Sequence, residues 1–323
     1  MLKTTRLSQR LARIEYPRKT SRTESVPAFE IEMATTRQDR RQAACLVGRV
    51  YQTEGYLPSP LPAKRQDTDA VGPEAQPFYS FQHLLPEATV FVAKEGGQVV
   101  GTLSVILDSP AGLPLEALYS AEVAGLRGAG RRVSEICSLA IDPHREKNTS
   151  WLFLNLFKQA TAYLVHCTTA TDVLVTLKPS HQGFYASRMG FKPFGSWKQD
   201  ARFGNADTVA MGLTREQVEE VARPDALHAR ANRIQALVFG PLPEADLRRL
   251  QATTRERTLT AEELLERLEK GRELFVSALP HQKEYLRRSY GNRLAKQRQL
   301  FEECETLEEA ASPAPLLLAM AVS

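Results

Sequence analysis

One stretch, Val133 to Gly195, limits what this chain can fold into more than any other. Val133 to Ile141 is a mostly apolar run with a single carboxylate, Glu135, and it is broken by Asp142-Pro143. Such a run predicts a buried strand. From Leu152 the apolar positions 152, 153, 156, 157, 160, 163 and 164 recur at helical spacing, so a helix opening near Ser150 is expected to lay one face on a sheet. Asp172 to Leu177 predicts a second buried strand, and His181 to Met189 a short helix stopped at Gly190. Two such strands joined by a crossover helix are expected to be parallel neighbours. The crossover brings a helix N-terminus to the sheet's edge, where unpaired backbone N–H groups can hold a phosphate.

The flanking segments extend this sheet. Phe29 to Met33 alternates apolar and acidic residues, as a half-buried first strand does, and a helix from about Gln38 would bury Ala43, Leu46, Val47, Val50 and Tyr51. Leu57 to Gln76 is rich in Pro, Asp and Ala and reads as a loop. Val90 to Lys94 and Gln98 to Asp108 flank Glu95-Gly96-Gly97 as a hairpin. Pro114 to Arg131 reads as a connecting segment, its Gly128-Ala129-Gly130 marking flexibility rather than a nucleotide loop. Asp207 to Leu213 can close the sheet, for six or seven strands in all.

After Thr214 the pattern changes to helices. Thr214-x-x-Gln217 and Thr260-x-x-Glu263 are capping-box patterns, each able to hold a helix start by about 1 kcal/mol. Breaks at Pro224, Gly240-Pro241, Gly271, Pro280 and Gly291 imply three or four helices, with Leu264, Leu265, Leu268, Phe275, Leu286, Leu294, Leu300 and Phe301 as core candidates. The expected organisation is a basic N-terminal arm (1–27), an α/β (α+β) domain (28–213), a helical domain (214–311) and a tail (312–323). The arm carries seven basic and two acidic side chains and reads as a solvated tail, with an amphipathic arm for an acidic surface as the alternative.

A net charge of +4 on balanced acidic and basic residues argues against a nucleic-acid partner, for which basic residues cluster on one face. Four scattered cysteines suit reduced thiols in a cytoplasm and give neither a disulfide frame nor a metal site. No apolar run nears the roughly 18 residues of a membrane span, and the N-terminus lacks a signal-peptide core.

Phe184-Tyr185 followed by Gly190-Phe191, and Arg145, Asn148 and Ser150 in the register of an Arg/Gln-x-x-Gly-x-Gly/Ala loop, resemble the GNAT acyltransferase superfamily. Within it, Arg49-Val50-Tyr51 with Glu54-Gly55-Tyr56, and the hairpin leading to Gly112-Leu113-Pro114, resemble the N-acyl amino acid synthase and acyl-homoserine-lactone synthase branch. The resemblance covers about residues 28–213. It implies a centrally splayed mixed sheet and N-acyl transfer from an acyl-phosphopantetheine thioester to the amino group of an amino acid or similar amine. The donor would be a long-chain acyl group on an acyl carrier protein, or acyl-CoA, with no metal. An acetyl-CoA-dependent transferase and a non-catalytic binding or scaffold module are the alternatives; a homo-oligomer is left open. The chain departs from those synthases at Ser104 and at Cys137-Ser138, where they carry arginine and Ser/Thr-Arg, so the acceptor is not implied.

Such a reaction needs a seat for the pantetheine arm, a base for the amine and an acid for the leaving sulfur. Splayed strands would offer backbone groups at Leu139 and Ile141 to the pantetheine amides. The loop at Arg145, Asn148 and Ser150 would hold phosphate, chiefly through backbone N–H groups. Glu135 is the candidate base, because burial raises a carboxylate's pKa; pairing with Arg131 or Arg132 is the alternative. Tyr185 matches the tyrosine that protonates sulfur in many GNAT enzymes, against plain packing with Phe184 and Phe191. His181 reads as a helix cap.

Overall fold

The computed structural model describes residues 29–57, 77–145, 148–223, 233–254, 259–270, 275 and 277–294. The expected arm 1–27, the loop residues 58–76, the tail 312–323, Leu300 and Phe301 lie outside them, as do the side chains of Leu265 and Leu294.

Among the described residues one mixed sheet holds eight strands. They are β1 (Glu30–Met33), β2 (Ala88–Glu95), β3 (Gln98–Leu107), β4 (Val133–Ile141), β5 (Asp172–Leu177), β6 (Lys192–Pro193), β7 (Lys198–Asp200) and β8 (Ala206–Thr214). The order is β1-β2-β3-β4-β5-β8-β6, with β7 pairing β8 off this path. All neighbours are antiparallel except β4 and β5, which are parallel as the crossover reading requires. The count exceeds six or seven because β6 and β7 are too short to show a period-2 pattern.

Pairing between β4 and β5 runs from Val133–Asp172 to Ile136–Val175 and stops there. Beyond that point β4 stays bonded to β3, as far as Ile141–Gly101, and β5 stays bonded to β8, as far as Leu177–Val209. The sheet therefore opens down its middle. Opposite the opening β4 carries a bulge: Thr102 faces Ala140 but Ser104 faces Cys137, and Ser138 takes a left-handed φ of 50°. A bulge adds twist and bends its strand, which turns the free end of β4 away from β5.

The helices close both faces. Helix α1 (Arg37–Thr53), capped by Thr36 Oγ1 accepting from Asp39 N at 3.1 Å, packs with Ala43, Leu46 and Val47 against Val92, Val99 and Ala140. Pro114 to Arg131, expected as a connector, contains helix α2 (Glu116–Gly128). Its buried Tyr119 and Val123, with Leu115 before it, keep helical i, i+4 spacing and cover Ile106, Val133 and Leu174. The glycines near Gly128 end this helix rather than loosening the segment. On the opposite face α3 (Thr149–Cys167) buries Leu152, Phe153, Leu156 and Phe157 on the main core, with the short α4 (Gln182–Met189) beside it.

Contact between α3 and β3 is flush at Gly101. A Cβ there would lie 2.4 Å from Leu152 Cδ2. Gly101→Ala is therefore expected to destabilise the fold by about 1–3 kcal/mol, read as a lower denaturant midpoint at unchanged m-value.

After Thr214 the capping box forms: Gln217 N donates to Thr214 Oγ1 and Thr214 N to Gln217 Oε1. Helices α5 (Arg215–Ala222), α6 (Arg233–Phe239) and α7 (Glu244–Thr253) place Val218, Ile234, Val238 and Leu250 in the main core with α3. Among the described residues the first compact unit therefore includes α5 to α7, past Leu213 where the sheet domain was expected to end. A second unit begins at Leu259. It holds α8 (Ala261–Lys270) and α9 (Pro280–Leu294), with Leu264, Leu268, Phe275, Leu286 and Tyr290 buried.

Candidate active site

The site residues expected from sequence lie on β4, at the start of α3 and on α4, and they divide between two faces of the sheet. Glu135 precedes Ile136, and alternation along a strand sends them to opposite faces. Ile136 joins the main core under α3. Glu135 turns toward the smaller core, where its Oε2 accepts from Leu115 N at 2.8 Å. It pairs with neither Arg131, which bonds Asp172 and Glu216, nor Arg132, whose Nε donates to Thr169 O. Burial pushes its carboxyl up to about 8, against the opposing pull of Leu115 N–H and Arg202, while Glu116 and Asp200 add to the rise.

Tyr185 lies in the main core among Phe153, Phe157, Phe184 and Phe191, with ring centroids 5.4–6.2 Å away. The packing expectation is met. Yet among the described residues its hydroxyl makes no hydrogen bond, although the side chain is only 6% exposed. Burial holds this phenol well above its usual range, so it stays protonated. Glu135, one residue before the pairing of β4 with β5 ends, and Tyr185 thus lie on different faces of the sheet.

At the open end of β4, Leu139 and Ile141 pack toward the main core, and the backbone edge of Cys137–Ile141 has no partner in β5. Below it α3 starts at Thr149, with Asn148 as N-cap at φ 62°, ψ 13° and without a side-chain cap bond. Left-handed backbone explains why glycine suits this position and why asparagine, the non-glycine residue most at ease there, can stand in. Ser150 is in the first turn of α3. Arg145 is held by Glu95 through Nη1 at 2.5 Å and Nη2 at 3.1 Å, so its charge is already matched.

Several groupings near this part of the fold carry no local sequence pattern; of their members, Tyr51 is electrostatically coupled to Glu135. Tyr51, Tyr56, Phe78 and Phe203 form a ring cluster with centroids 5.1–6.0 Å apart. Lys178 lies 4.6 Å over the Tyr56 ring and pairs with Glu54 at 2.8 Å. His181 sits at the N-cap of α4 but makes no side-chain cap bond; burial, with Lys178 adding, takes its imidazole down to about 4. Ser104 and Ser138, the two departures noted above, meet at His83: Nε2 lies 3.1 Å from Ser104 Oγ and 3.4 Å from Ser138 Oγ. Ser80 N–H can only donate to Nδ1, at 3.2 Å, so the neutral ring carries its proton on Nε2 and points it at these serines. Tyr51 and Tyr56 were marked in the sequence by the Arg-Val-Tyr and Glu-x-Gly-Tyr segment, Ser104 and Ser138 by departure from the family pattern and His181 by its place at a helix start, whereas Phe78, His83, Lys178 and Phe203 had no signal.

Among the described residues no group of three or more His, Cys, Asp or Glu is placed to hold a metal, and no helix is long and apolar enough to cross a membrane.

Three comparisons bear on this arrangement. No curated protein matches the chain. Among solved structures, FeeM, an N-acyl amino acid synthase from uncultured soil microbes, is similar at 24% identity and a TM-score of 0.49, covering 60% of this chain and 94% of FeeM. The AHL synthase LasI is similar at 15% identity and a TM-score of 0.41, covering 67% and 97%. An acyl-CoA N-acyltransferase from Pseudomonas aeruginosa is similar at 14% identity and 0.36, covering 57% and 97%. The family pattern of the N-acyl amino acid synthase FeeM matches residues 42–214, which include the opened sheet, Glu135 and Tyr185. The chain therefore belongs to the FeeM N-acyl amino acid synthase family and is an acyltransferase.

Proposed function

We propose that the chain moves a long-chain acyl group from the phosphopantetheine thioester of an acyl carrier protein to the amino group of an amino acid or similar amine. The observation that carries this reading is the opening between β4 and β5, which begins one residue past the buried carboxyl of Glu135.

In this reading the pantetheine amides bond the free β4 edge at Leu139 and Ile141, as an added strand would. The phosphate meets the first N–H groups of α3 at Asn148 to Ser150, where the helix dipole favours an anion. Arg145, already matched by Glu95, adds little charge. That favours the single phosphate of a carrier-protein arm over the pyrophosphate of coenzyme A. The amine nitrogen attacks the thioester carbonyl, its proton passes to Glu135 directly or through water, and the C–S bond breaks. Tyr185 gives its proton to the departing sulfur, and exchange with solvent resets both side chains. The rings of Tyr51, Tyr56, Phe78 and Phe203 lie on the Glu135 side, where the acceptor would enter.

Purified protein incubated with palmitoyl-acyl carrier protein and a mixture of the protein amino acids, followed by mass spectrometry, is expected to yield an N-palmitoyl amino acid and free carrier thiol. Product with acetyl-CoA and none with any carrier-protein donor would overturn the donor assignment. No product with either donor would favour a binding module.

A further inference from the structure

The one hydrogen bond that Glu135 makes among the described residues comes from the peptide between Pro114 and Leu115. The other end of that same peptide is also engaged. Arg202 Nη1 donates to Pro114 O at 2.7 Å, while Leu115 N–H donates to Glu135 Oε2 at 2.8 Å. In a planar trans peptide the C=O and N–H point in opposite directions, so one amide unit spans the gap from guanidinium to carboxyl. A cation on the carbonyl oxygen polarises the unit and makes its N–H a stronger donor.

Arg202 is in turn fixed. Its Nε and Nη2 fork onto Asp200 at 2.9 and 2.6 Å, and its guanidinium carbon stands 5.4 Å over the Phe203 ring. From the other side Arg127 ties the same turn by bonding Asp108 and Glu116, and Glu116 accepts from Leu113 N at 2.6 Å. The peptide cannot rotate without breaking one of these bonds. Nothing in the acyl-transfer reading uses Arg202, which lies 88 positions from Pro114 in the chain.

We propose that Arg202 is a positioning residue that acts on Glu135 through the Pro114–Leu115 peptide, holding the amide on the carboxylate and favouring its ionised form. The inference rests on the proposed role of Glu135 for its consequence, though not for its test. The charged and titratable groups around Glu135 are Asp200 from the end of β7, Arg202 from the turn after it, Glu116 from α2, Tyr51 from α1 and Cys137 from β4. Loss of Arg202 removes a cation and weakens a hydrogen bond to the ionised form, and both changes favour the protonated carboxyl.

The test is an infrared pH titration of the full chain without substrate, following the protonated-carboxyl stretch that disappears in Glu135→Gln. In Arg202→Met the midpoint is expected to rise by at least about half a pH unit, and in Arg202→Lys, which keeps a cation, to stay nearer the wild type. A stray charge on Asp200 could raise the midpoint alone, so Asp200→Asn/Arg202→Met is measured too. A persisting rise in the double variant supports action through the peptide; a midpoint restored to the wild-type value overturns it. An unchanged midpoint in Arg202→Met, with melting showing the protein folded, also overturns it and leaves the reading of Glu135 standing. Full acyl transfer by Glu135→Gln would overturn that reading instead, whatever the titration shows.

Discussion

Replacing Tyr185 by phenylalanine will lower turnover about 10²- to 10⁴-fold and leave stability within about 1 kcal/mol of the wild type. The second half follows from the packing. The ring touches Phe153, Phe157, Phe184 and Phe191, and phenylalanine keeps all of these contacts. The hydroxyl bonds no described residue, so its removal strands no partner. The first half follows from the leaving group. A thiolate expelled among apolar side chains is unstable unless a proton arrives with it, and the phenol is held in its protonated form by burial. Loss confined to the chemical step predicts a lower kcat with little change in KM for the thioester. If Tyr185→Phe keeps full kcat, the tyrosine serves packing alone and another group, or water, protonates the sulfur.

The parts of this fold that were legible in the sequence are those set by local pattern. The Val133–Ile141 and Asp172–Leu177 runs with the helical stripe between them specify a parallel pair, because a crossover of that length permits little else. Gly96-Gly97, both at positive φ, mark the hairpin, and Asn148 marks a left-handed position that glycine usually fills. Helix α2 was hidden by its two late glycines, Gly125 and Gly128, and by Gly130 just past its end, although Leu115, Tyr119 and Val123 keep a helical spacing. The surroundings of Glu135 were illegible for another reason. Leu115 bonds it, and Arg202 and Tyr51 act on it through their charge and dipole, from elements far apart in the chain, and no local spacing announces an arrangement made by tertiary packing. His83 is the same case: it is an isolated residue in sequence and the meeting point of Ser80, Ser104 and Ser138 in the fold.

Glu135→Gln is expected to lose activity and gain stability together, and the two changes have different pH dependences. In the folded chain the carboxyl titrates near 8, well above its ordinary value of 4.5, because burial disfavours its charge. The folded state therefore keeps a proton that the unfolded state has released, and this group's contribution to stability falls as pH rises from about 4.5 to 8 and then levels off. Glutamine does not titrate, and its amide oxygen can still accept from Leu115 N–H. The variant should match the wild type near pH 4.5 and exceed it above pH 8 by an amount on the order of a few kcal/mol, visible as a melting temperature that no longer drops across this window. Activity has the opposite sign. Only the carboxylate can take the amine's proton, so wild-type kcat/KM should climb with pH until about 8 and then flatten, while Glu135→Gln should be low throughout, by about 10²- to 10⁴-fold at the plateau. A buried acid that costs stability at the pH where it is needed is the expected trade of a functional group against the fold. A variant that is more stable yet fully active would show a carboxyl without a catalytic task, and the base would have to be sought among the other groups facing the acceptor side.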